Sequence, residues 1–99
     1  MSALLDENYR KHRRLVILRG LLVDPHQGLN ESILHDLIEL RGVPVTRDQV
    51  RTEIGWLKEQ GFLRVDNLDN HYVCHITADG VEVATGRRRH DGVKFPSVV

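Results

Sequence analysis

Between residues 46 and 60 the chain reads TRDQVRTEIGWLKEQ, and this stretch holds its most chemically suggestive side chains. Arg47 and Arg51 stand four apart, so on a helix they share one face. Each guanidinium has the fork geometry that pairs with guanine O6 and N7, and Gln49 has the amide that pairs with adenine. Thr52 could touch a phosphate or a thymine methyl group. Val50, Ile54 and Leu57 recur at i, i+4 and i+7 and fix the buried side. The outward set is then Arg47, Asp48, Gln49, Arg51, Thr52, Glu53 and Lys58. Thr46 and Gln49 also fit a capping box, which competes with any reading role for Gln49. Asp48 and Glu53 stand on the same surface, so the plainer alternative is a solvated face of intrahelical ion pairs, each worth ~0.3–0.5 kcal/mol.

Other chemistry is poorly provided for. Six histidines invite a metal site, and His71, Cys74 and His75 are close in sequence. On a strand, however, His71 and His75 point one way and Cys74 the other. A structural zinc needs about four ligands, so no metal and no cofactor are expected. The chain has no glycine-rich phosphate loop, no nucleophile–base spacing and no paired carboxylates on one face, so it is not expected to be an enzyme. A single cysteine, Cys74, rules out an internal disulfide and suits a reducing cytosol. It reads as a small core residue.

The elements that must position these residues follow from periodicity. Residues 5–23 form a first helix with two apolar stripes, Leu15, Leu18, Leu22 and Ile17, Leu21. A helix apolar on two sides is buried on both. In so small a domain the second side either meets a partner chain, making Leu15, Leu18 and Leu22 a homodimer interface, or is wrapped by the domain's own elements around a central helix. Asn30 caps a second helix that Gly42 stops, and Thr46 caps the third, which Gly61 ends. Residues 62–66 and 71–76 alternate and flank turn-forming Asn67–Asn70, a hairpin. Thr77 opens a fourth helix that Gly86 stops. The fold class is thus mainly α with a β-hairpin, an α+β chain in the order α-α-α-β-β-α. That is the order of a winged helix-turn-helix, with the hairpin as wing. Residues 1–86 form the domain, and 87–99 form a basic C-terminal tail without periodicity, read as extended or disordered.

The chain has 99 residues and a net charge of zero, but the charge is unevenly spread. Residues 1–19 carry +3, residues 20–86 carry −6, and residues 87–99 carry +3. Arg10, Lys11, Arg13 and Arg14 could flank a duplex, and Arg87, Arg88 and Arg89 with Lys94 could act as an arm. The hairpin tip is acidic, with Asp66 and Asp69, leaving Arg64, His71 and His75 as its positive prospects. No apolar run reaches the ~18–20 residues of a membrane span. The first residues are too charged for a signal peptide. A cytoplasmic protein of the bacterial host cell, with no membrane contact, is expected.

Three segments carry a resemblance: HRRLVILRGLL, then NESILHDLIELRGVPVTRDQVRTEIGWLKEQG, then ITADGVEVATGRRRHDGVKFPS. Together they resemble a family of small proteins of Mu-like transposable phages and prophages, often labelled ArsR-like regulators. The likeness covers residues 9–97. Its most specific parts are the T-R-D-Q-V-R-T-x-x-x-W-L-x-x-Q-G helix and the later Ala84, Gly86, Gly92, Val93 and Pro96. The resemblance implies DNA-binding regulation, and with the helix order and the first helix it gives the leading expectation of sequence-specific double-stranded DNA binding and transcriptional regulation as a dimer. Thr46, Arg47, Gln49, Arg51 and Thr52 would then meet the major groove or phosphates, with Arg64 on the wing. The alternative is a winged-helix module that binds a phage-assembly or host protein through its acidic surface.

Overall fold

The computed structural model describes residues 3–69 and 71–96, for His71 the backbone only. The order is α1 (Ala3–Val23), β1 (Leu29–Asn30), α2 (Glu31–Leu40), α3 (Arg47–Glu59), β2 (Leu63–Leu68), β3 (His71–Ile76) and α4 (Ala78–Ala84). The chain is α+β, with four helices and one antiparallel sheet, in the order β1-β3-β2, among the described residues.

The helix starts are fixed locally. Asn30 accepts a hydrogen bond from the Ile33 backbone N–H, Thr46 from Gln49 and Thr77 from Gly80, so each helix begins with an orphan donor satisfied. The hairpin pairs Leu63 with Ile76 and Val65 with Cys74. That register puts alternate residues of both strands on the core side. Tyr72 alternates onto the same side as Cys74 but is 54% exposed near the outer end of the hairpin.

The short strand β1 was not expected, because two residues carry no alternation. Leu29 pairs with Cys74 and Asn30 with Val73. Gly28 makes this approach feasible. It has φ +73°, and a Cβ there would lie 2.6 Å from the Val73 side chain and 2.7 Å from the Cys74 carbonyl.

The core joins Ile17, Leu18 and Leu21 of α1 to Leu34, Ile38, Val50, Leu57 and Phe62, all at most 1% exposed. Each such side chain contributes roughly 1.5–3 kcal/mol by leaving water. α1 is the central helix and touches α2, α3, α4 and β3. This corrects the expected dimer stripe. Leu15 and Leu18 are buried within their own chain, and Leu22 is half-buried against the same core. Residues of both apolar stripes, Leu15, Leu18 and Leu22 and Ile17 and Leu21, pack against the chain's own core.

The C-terminal segment also differs from expectation. Residues 87–96 contain no helix or strand, yet they are packed on the domain. Val93 is buried, and the Lys94 N–H donates to the Lys11 carbonyl at 3.2 Å. The His90 ring stands edge-on to the Trp56 and Phe62 rings, each at 5.3 Å. Packing against α1 and α3 orders this stretch where periodicity offered no cue. Residues 97–99 lie outside the described residues.

Candidate nucleic-acid interface

α3 presents its first half to solvent. Thr46 Oγ1 accepts the Gln49 N–H at 3.1 Å, while Gln49 Oε1 accepts the Thr46 N–H at 2.9 Å. Both side chains are thus occupied in the capping box and position the helix. Thr52 Oγ1 donates to the Asp48 carbonyl at 3.0 Å and remains exposed.

Arg47 and Arg51 are exposed on the same face, as their spacing requires, and Glu31 holds both. Arg51 Nε donates to the two Glu31 carboxylate oxygens at 2.6 and 3.1 Å. Arg47 Nη1 donates to Ser32 Oγ at 2.9 Å, and its Nε lies 3.8 Å from Glu31. The hydrogen bond that Arg51 donates to Glu31 raises its pKa further above the ordinary value. Glu31 stands in the first turn of α2, where the helix dipole favours an anion. A guanidinium has five donors. With Nε engaged inward, the outer Nη edge of Arg51 is left for another partner, 3.7 Å from Asp48 at its nearest carboxylate. By sequence Glu31 is only the residue that follows the Asn30 cap. Its role as the shared counterion depends on the angle between α2 and α3, which no local pattern encodes.

Beside this face, α3 and the β2–β3 hairpin enclose a shallow groove of about 270 Å³. Arg51, Lys58 and Tyr72 border it, and Gly55 opens it, since a Cβ there would meet nothing within 4 Å. Arg64 lies on β2 with its side chain exposed, 3.5 Å from Asp66.

The basic ends are divided. Arg13 and Arg14 are buried and cannot flank a duplex, which corrects the expectation for both. Arg13 donates twice to the Pro44 carbonyl, at 2.9 and 2.7 Å, and burial lowers its pKa. Arg14 donates to Glu53 Oε1 and to the Gly92 carbonyl, each at 2.9 Å, and its guanidinium lies 3.8 Å above the Trp56 ring. Glu53, expected on the outer face of α3, is 1% exposed because Arg14 draws it inward. Arg10 is exposed and 3.5 Å from Glu53, and Lys11 is 3.5 Å from Glu7. At the other end Arg87 is exposed. Arg88 lies 3.5 Å from Asp79 and Arg89 stacks 4.0 Å from the Phe95 ring centre.

The remaining reactive groups are structurally committed. Burial pushes the Cys74 thiol up to about 11, so it is not a ready nucleophile or ligand. His75 is buried on the opposite side of β3, with Nδ1 3.3 Å from the Pro25 carbonyl and Nε2 3.3 Å from Asp66. The His71 side chain lies outside the described residues. His35, Asp36 and Glu39 bring ligating atoms within 4.8 Å of one another on α2, a geometry that His35 contacting both carboxylates already accounts for.

Comparison with known proteins gives two relatives. The chain is 45% identical over 93 residues to "Uncharacterized protein gp26" of Escherichia phage Mu, covering 94% of this chain and 96% of that protein. It is 40% identical over 83 residues to an uncharacterized protein of Haemophilus influenzae, covering 78% and 80% respectively. No family model matches the chain, and no solved structure matches it.

Proposed function

The chain belongs to the family of Mu-like phage proteins that includes gp26 of phage Mu, and from that premise we propose that it is a winged helix-turn-helix protein that binds double-stranded DNA to regulate transcription. One observation carries the reading: Arg47 and Arg51 share an exposed face in the first half of α3, both oriented by Glu31. In this architecture the start of the third helix meets the major groove. Arg47 and Arg51 then read guanines, Thr52 meets a phosphate or a thymine methyl group, and Thr46 and Gln49 fix the helix start. Arg64 approaches the backbone from the hairpin. A homodimer would set two such helices about 34 Å apart, through a surface other than Leu15 and Leu18. Such a protein acts in the cytoplasm of the bacterial host. Among the described residues no helix is long and apolar enough to cross a membrane.

Binding in this reading is specific more than electrostatic, because Glu31, Asp48 and Asp66 offset the cations beside them. The test is a salt-titrated selection on a randomised duplex library. A selected sequence is expected, with a shallow salt slope and a loss of about 1–3 kcal/mol in Arg47→Ala or Arg51→Ala at one base pair. No duplex retained at low ionic strength would refute it.

The second reading is a protein-binding winged-helix module. It is favoured by the acidic hairpin, with Asp69 at its turn and Asp66 within β2, and by the burial of Arg13 and Arg14. That outcome would appear as a folded chain that ignores every duplex offered.

A further inference from the structure

We propose that the groove between α1 and α2 is a docking site for an acidic amphipathic helix of a partner protein. The groove has a volume of about 880 Å³ and takes no residue from α3 or from the β2–β3 hairpin. It is therefore separate from the face assigned to DNA, and the proposal does not depend on that assignment.

Its shape suits a helix. On α1 the lining runs from His12 through Val16 to Val23, twelve residues that span about 16 Å, or three turns. On α2, Ile33, Leu37 and Arg41 follow at four-residue steps. Two helical ridges side by side form the groove into which a third helix packs. Gly20 sets the depth, since a Cβ there would lie 2.8 Å from Leu37 and hold the two helices apart. The apolar surface is uncovered in this chain: Val23 is 87% exposed, Ile33 43% and Phe95 39%. Contiguous exposed apolar surface of this kind marks an interaction site more often than scattered single residues do.

The rim states the charge of the occupant. Arg19, Arg41 and Lys94 line the groove, and none makes an ion pair among the described residues. Several cations elsewhere pair, as Lys11 with Glu7, Arg64 with Asp66 and Arg88 with Asp79, while Lys58 and Arg87, like the rim cations, have no ion pair among the described residues. Asp24 is the one acidic residue of the lining, and its carboxylate accepts the Gln27 N–H at 3.2 Å. An apolar floor with an unneutralised basic rim complements an apolar stripe flanked by carboxylates. A duplex offers phosphates but nothing for Val16, Ile33 and Leu37. A second copy offers two acidic helices, α2 and α4, but α2 already buries Leu34 and Ile38 in its own core and forms a wall of the groove, and α4 buries Val83 and Ala84.

The test is selection from a displayed library of 18-residue helices with a fixed leucine stripe and randomised flanking positions, against the full chain. Selected helices are expected to be rich in Asp and Glu and to bind less tightly as salt rises. Their affinity should fall at least tenfold against an Arg19→Glu/Arg41→Glu chain and against Ile33→Ser. These positions are exposed, so circular dichroism should show the variants folded. Arg47→Ala should bind the helices unchanged. Selection of neutral or basic helices, no enrichment, or equal binding to the charge-reversed chain would overturn the proposal. So would sedimentation showing a dimer that Arg41→Glu dissolves, or anionic vesicles displacing the selected helix, since each puts another occupant in the groove.

Discussion

Replacing Arg14 by methionine strands a buried carboxylate, and the cost can be worked from the contacts. Glu53 is 1% exposed and receives the Arg14 Nε at 2.9 Å. Its other cation, Arg10, is half in water at 3.5 Å. Arg14 also holds the Gly92 carbonyl at 2.9 Å and stacks on Trp56. Removing one partner of a buried pair typically costs about 3–5 kcal/mol, since the remaining charge stays desolvated. A domain of this size has ~5–15 kcal/mol in total, so the variant loses a large share of its stability. At about 4–8 °C per kcal/mol, Tm should drop by more than ~12 °C. The double variant Arg14→Met/Glu53→Leu removes both charges and should recover most of the loss, giving a large coupling energy. Urea denaturation of the two single variants and the double variant measures this. A cost below about 1 kcal/mol for Arg14→Met, the range of an exposed pair, would refute the reasoning. So would a double variant less stable than either single one.

Three further predictions are more local. Gly80→Ala should destabilise by about 1–3 kcal/mol, because its Cβ would fall against the Phe62 carbonyl, a backbone atom that cannot swing away; urea denaturation reads it. Thr46→Ala removes half of the α3 capping box and should cost about 1 kcal/mol, with amide exchange fastest in the first turn of α3. Burial holds the Cys74 proton up to about 11, against 9.0 for the free thiol. Between those values the folded chain binds more protons than the unfolded one, so stability falls as pH rises. The difference between wild type and Cys74→Ala should shrink over that window by at most about 2–3 kcal/mol, as denaturation at pH 8 and pH 11 would show.

What the sequence revealed was whatever local chemistry determines. Asn30, Thr46 and Thr77 cap helices because short polar side chains reach backbone donors three residues on, and all three do so here. The hairpin followed from alternation and turn residues, and the spacing of Arg47 and Arg51 placed both on one exposed face. What stayed hidden depends on contacts between distant residues. Arg13 and Arg14 read as surface cations by type, although Arg14 precedes Leu18 and Leu21 by four and seven residues and so shares their buried side. That spacing was a usable signal, outweighed by residue type. The partner that makes the burial possible, Glu53, lies thirty-nine residues away. β1 has two residues and therefore no period. The 87–96 segment is ordered by Val93, Gly92 and His90 meeting α1 and α3, which no repeat could announce. The shared use of Glu31 by two arginines likewise depends on the angle between two helices.

The most direct test of the functional account is chemical-shift mapping of the labelled chain as a library-selected duplex is added. The account predicts the largest shifts at Arg47, Arg51 and Thr52, with smaller ones at Arg64, and none along Val16, Ile33 and Leu37. Shifts confined to the α1–α2 groove, or no shift at any residue of α3, would contradict it.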